Sequence, residues 1–69
     1  MTNIDEAHAI IKELSRLKEN NYEGSIGIVT PYRAQATLID RELHRDENLY
    51  NWFTMYRGGA VNTVHLFQG

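Results

Sequence analysis

The chain has 69 residues, with seven Lys and Arg against nine Asp and Glu, and no cysteine. A domain this short buries only about 60% of its unfolded surface, so there is room for one small core with no disulfide or thiolate metal site to supplement it. The slight acidity excludes the footprint of an autonomous basic nucleic-acid binder, and no run suits a membrane span or signal peptide, so a cytoplasmic setting is expected.

Asn3, followed three residues later by Glu6, fits an N-cap with its capping-box partner. It opens a helix with Ala7, Ile10, Ile11, Leu14 and Leu17 at helical spacing. Near "KENNYEG" the two asparagines and Gly24 tolerate the left-handed backbone of a helix end. "SIGIV" then reads as a short β-branched strand covered on both faces, with Gly27 leaving room for a neighbour to pack closely. A second helix is predicted from Pro31 to about Arg45, with Ala34, Leu38, Ile39 and Leu43 toward the core. Arg33, Asp40, Arg41, Glu42 and Arg45 face solvent in this reading.

"RDENLYNWFTMYRGG" fits neither helix nor strand period and reads as a loop with room for one short element. Its Trp52, Phe53 and Tyr56 either fill the small core or stand exposed and self-associate. After Gly58 and Gly59, "AVNTVHLF" supplies Val61, Thr63, Val64 and Phe67 for a second strand. The order helix, strand, helix, strand implies two parallel strands joined by a crossover, hence an α/β layer fold with a short parallel sheet flanked by helices.

Thr30 before Pro31 suits a helix start, the hydroxyl accepting from a free amide and proline taking the first helical position. The same junction lies at the carboxyl end of a parallel strand, where open α/β sheets bind ligands and a helix N-terminus favours an anion. A plain capped helix and a phosphate site both satisfy the residues. Tyr32 suits stacking on a base, Arg33 suits pairing with a phosphate, and Gln35 is ambiguous. At the second strand end, Gln68 and Gly69 suit a close backbone approach to phosphate, and one crossover would open both strand ends on the same edge.

"GIVTPYRAQ" followed by "VNTVHLFQG" resembles the second RecA-like domain of superfamily 1 helicases, in the branch that includes the nonsense-mediated RNA decay helicase. "TNIDEAHAII" also resembles the helix that precedes the first pattern in that branch, so the likeness spans nearly the whole chain. The resemblance implies a P-loop NTPase-type fold and places Thr30 and Pro31 against the backbone of single-stranded DNA or RNA, with Tyr32 and Gln35 supporting that contact. It puts Thr63 and His65 at the nucleic-acid edge of the motif V strand, and Gln68 and Gly69 at the start of the loop that couples this edge to bound nucleotide. ATP and Mg²⁺ are implied for the whole protein, together with a first RecA-like domain as partner.

The departures shape the expectation as much as the matches. The family's motif V runs on to a glutamate beyond the last residue here, and no Gly-x4-Gly-Lys-Ser/Thr loop occurs. Residues 1–69 are therefore expected to be one truncated C-terminal RecA-like domain that binds no nucleotide and hydrolyses none by itself. His8, His44 and His65 lack carboxylates at ligand spacing, Ser15 and Ser25 lack a His and acid arrangement, and Asp40, Glu42, Asp46 and Glu47 look like a solvated face. No metal site is expected. Two other functions stay open, a stand-alone α/β module for phosphate or another anion and a structural interaction domain.

Overall fold

A computed structural model describes residues 2–64 of the chain, so His65, Gln68 and Gly69, like Phe67, lie outside the described residues. Its elements are α1 (Ile4–Glu19), β1 (Ile28–Thr30), α2 (Arg33–Leu43), α3 (Glu47–Asn51) running into one π-helical turn (Trp52–Tyr56), and β2 (Val61–Thr63). The α/β architecture is as expected, with β1 and β2 paired in parallel and helices packed on them. No helix among the described residues is long and apolar enough to cross a membrane.

Asn3 caps α1 as its sequence suggests, the side-chain Oδ1 accepting from the Glu6 amide at 3.1 Å. Glu6 does not complete the capping box, because the Asn3 amide is taken by Gln35. The C-terminus closes as a Schellman motif: Asn21 adopts φ 57°, its amide bonds to the Lys18 carbonyl, and the Tyr22 amide reaches back to Leu17. Asn21 is one of the residue types that enter the left-handed region at little cost, which is why the helix stops there.

α2 is the central element, touching α1, α3 and both strands. Its buried residues are Gln35, Leu38, Ile39 and Leu43, with Glu42 half-buried between them. Leu38, Ile39 and Leu43 are buried as expected, whereas Ala34 is exposed with Gln35 in its place, and Glu42 is turned inward toward His8 of α1, at 3.1 Å. In the first turn it is Gln35, bonded to Asn3, that meets α1.

β1 is shorter than "SIGIV" and shifted to Ile28–Thr30, and only one of its faces is covered. Ile28 and Thr30 point into the core while Val29 is 61% exposed, so the strand is not the doubly covered interior strand expected. Nor does Gly27 receive a neighbour, as the space where a Cβ would stand is open.

The stretch expected to be a loop is helical. Asp46 caps α3 by accepting from the Leu49 amide at 3.1 Å. The helix widens at Trp52, where the Arg57 amide bonds five residues back to Trp52, and the Thr54 hydroxyl donates to the Tyr50 carbonyl at 2.9 Å. A serine or threonine bonding to that carbonyl loosens an α-helix, and one wide turn resets its period. Hence Phe53 is fully buried beside Leu49, Trp52 is half-buried, and Tyr56 and Met55 stand out at 70% and 75% exposure. The aromatics divide between the two readings the sequence left open.

Gly58 takes φ 63°, and Gly59 follows with its amide on the Phe53 carbonyl at 2.8 Å. A Cβ at Gly59 would fall on the Phe53 ring. Arg57 donates to the Tyr22 carbonyl at 3.1 Å and the Gly24 carbonyl at 3.4 Å, with its guanidinium 5.9 Å from the centre of the Trp52 ring. It thereby ties the loop before β1 to the loop before β2. The core is small: Ala7, Leu14, Ile28, Leu38, Ile39, Leu43, Leu49 and Phe53.

Candidate nucleic-acid interface

In the parallel ladder Ile28 lies opposite Val61, Val29 opposite Asn62 and Thr30 opposite Thr63. The Val64 amide closes the end of the ladder on the Thr30 carbonyl at 3.1 Å. Both strands therefore finish at one carboxyl edge, side by side, which is where open α/β sheets build their sites. Pro31 and Tyr32 leave this edge as an exposed turn into α2, with Tyr32 52% exposed.

Thr30 is not the helix cap that the sequence suggested. The N-cap is Tyr32, extended at φ −115° and ψ 125°, and no side chain among the described residues caps the helix. Thr30 precedes a proline, which disfavours helical backbone, and its carbonyl is already committed to Val64. Its side chain belongs to the covered face of β1, and the residue is only 7% exposed. A ligand at this edge would meet the turn and the adjacent amides rather than the Thr30 hydroxyl.

The first turn of α2 offers those amides. Arg33, Ala34 and Gln35 have no carbonyl one turn behind them to bond, and the first intrahelical bond runs from Ala36 to Tyr32. Amides with no partner among the described residues, together with the helix dipole, favour negative charge at this place. Gln35 occupies the third position, from which a glutamine can close a cap, but its side chain turns inward. It is 2% exposed, its Oε1 accepting from the Asn3 amide at 2.7 Å and its Nε2 donating to the Asn3 carbonyl at 2.9 Å. The glutamine expected to support strand contact thus stands behind the surface, with no face open to a ligand.

A groove runs from this edge between α2 and β2, lined by Arg33, Thr37 and Asp40 on one side and by Asn62 and Thr63 on the other. Arg33 makes no ion pair among the described residues. Thr37 and Asn62 were absent from the sequence-derived candidates. Helical spacing from Arg33 to Thr37 and Asp40 was a signal for the first, whereas Asn62 needed the strand register.

The described residues hold no group of three His, Cys, Asp or Glu that could bind a metal ion, and the sequence has no glycine-rich phosphate loop with its lysine. These residues do not fit ATP and Mg²⁺ by themselves. Asp40 of the groove meets His44 at 3.5 Å, and the other titratable pairs lie away from it. His8 meets Glu42, and Glu42 also meets Arg45 at 3.4 Å. On the exposed face of α1 the Arg16 guanidinium hydrogen-bonds Glu13, holding its carboxyl below the ordinary range while the arginine is raised.

A family model described as an AAA domain matches residues 1–69. No curated protein and no solved structure matches the chain.

Proposed function

Because the chain belongs to the AAA-domain family, a helicase-like branch of the P-loop superfamily, we propose that it forms the nucleic-acid edge of the second RecA-like domain of a superfamily 1 helicase or translocase. The observation that carries this reading is the register of Thr30 with Thr63, which brings the strands of the two helicase-like patterns to one carboxyl edge beside a helix start that no described side chain caps. A strand phosphate would lie against the amides of Arg33 and Ala34, Arg33 would pair with the next phosphate, and Tyr32 would stack on a base. Thr63 borders the same groove, and His65 would extend the edge. Gln68 and Gly69 would begin the connection to a nucleotide site that other residues and a first RecA-like domain complete.

Contacts of this kind grip backbone and carry no sequence preference. With so few phosphates engaged, binding is expected to be weak and salt-sensitive. The test is fluorescence anisotropy of a labelled single strand over a series of salt concentrations. The reading expects affinity to fall with salt, and Arg33→Ala to flatten the log-log slope by about 0.7, the value for one phosphate on a single strand. Binding that ignores both salt and Arg33, or none at low salt, would count against it. The open amides of α2 also favour a second reading, capture of a small free anion; inorganic phosphate binding that oligonucleotide cannot displace would replace the first reading with the second.

A further inference from the structure

Gln35 and Asn3 lie 32 residues apart and exchange two hydrogen bonds, the amide group of one side chain closing on the backbone N–H and C=O of one residue. Asn3 is already in full use. Its carbonyl also accepts the Ala7 amide at 3.1 Å, and its side chain accepts the Glu6 amide. Asn3 is exposed, so water could serve its backbone groups, and α1 does not require a glutamine to satisfy them. Burying Gln35 there carries a desolvation cost that only paired hydrogen bonds offset. It also forgoes the reach back to the Tyr32 amide that the same side chain could have made from the third position of its own helix. One turn along α1, Ala7 is fully buried, and its small side chain lets the two helices approach closely beside this contact.

We propose that Gln35 is a positioning residue for strand binding: by clamping Asn3 it fixes the orientation of the first turn of α2, and with it the presentation of Tyr32, Arg33 and the open amides to the nucleic-acid backbone. The inference rests on the proposed strand-binding role. Gln35 touches no ligand, acting through the rigid start of α2. The sequence patterns around Asn3 and Gln35 then serve one device, an α1 start that is read by the α2 start.

The test uses two near-isosteric variants and a pH series. Gln35→Met removes both hydrogen bonds at similar volume, and strand affinity is expected to fall between about threefold and tenfold at every pH. Gln35→Glu restores both bonds only when its carboxyl is protonated, one oxygen accepting from the Asn3 amide and the O–H donating to the Asn3 carbonyl. Its affinity should therefore match wild type on the acid side of a step that the wild-type and methionine proteins lack, and fall to the methionine level on the alkaline side. Leu14→Ala, a core truncation on α1 away from the edge, should lower thermal stability while strand affinity of the folded protein stays put. Equal affinity and equal pH dependence of all three Gln35 forms would overturn the positioning role while leaving strand binding intact. Failure of the wild type itself to bind would instead remove the functional reading on which it rests.

Discussion

The close approach of Gly59 to Phe53 makes a sharp prediction for the packing of the core. Phe53 is fully buried within the wide turn and closed in by the double glycine after it, so its ring has little room to swing away from a new methyl group. Gly59 has no positive φ, which leaves steric overlap as the sole cost of Gly59→Ala. Overpacking of this kind costs about 1–3 kcal/mol. In a chain whose total stability is roughly 3–10 kcal/mol at 0.05–0.15 kcal/mol per residue, that is a large fraction. Phe53→Leu alone should cost roughly 1–2 kcal/mol, less than the 3–5 kcal/mol of truncation to alanine. If ring overlap is the cause, the double variant loses less than the sum, with a coupling of about 1 kcal/mol or more. Gly27→Ala, where the space is open, should stay within about 0.5 kcal/mol of wild type. Urea unfolding followed by the single Trp52 measures wild type and the four variants. A Gly59→Ala protein as stable as wild type, or strictly additive effects, would refute the packing described around Phe53.

Asp46→Ala removes the side-chain N-cap of α3 and should lower stability by about 1 kcal/mol, seen as an earlier urea midpoint. Tyr32→Ala should weaken single-strand binding with no loss of thermal stability, because the ring is exposed and caps nothing. The Glu13 carboxyl is held below its ordinary range by its hydrogen bond to Arg16, so the stability this pair adds is present above the unfolded value of about 4.3 and is lost as pH falls through the folded one. Both side chains are exposed, so a small difference between wild type and Glu13→Gln is expected at neutral pH, vanishing in acid unfolding experiments.

Local rules were sufficient where a residue's partner lay within a few positions. The Asn3 cap, the left-handed Asn21 and the parallel pairing of the two β-branched segments follow from such rules. They failed where a distant partner took precedence. Thr30 looks like a cap until Val64 claims its carbonyl, and Gln35 looks like a surface group until Asn3, far away in sequence, draws it inward. Leu38, Ile39 and Leu43 kept their expected place in the core, while Ala34 stands exposed and most of Glu42 is buried. The aromatic stretch resisted reading because a π-helical turn has no fixed period to detect, and Thr54 gave the one local hint of it. Of the candidate site, the meeting of the two strand ends was legible from the order of elements, whereas the groove to Asn62 required the register.

The most direct test of the nucleic-acid edge is amide chemical-shift mapping as the labelled chain is titrated with a short single-stranded oligonucleotide at low salt. The account predicts that the amides of Tyr32's neighbours Arg33 and Ala34 move together with those of Asn62, Thr63 and Val64, and that the shifts retreat on adding salt. Tyr22, Trp52 and Tyr56, which line a separate surface groove near Arg57, should stay still. Shifts confined to that aromatic groove, or none at the carboxyl edge of β1 and β2, would contradict it.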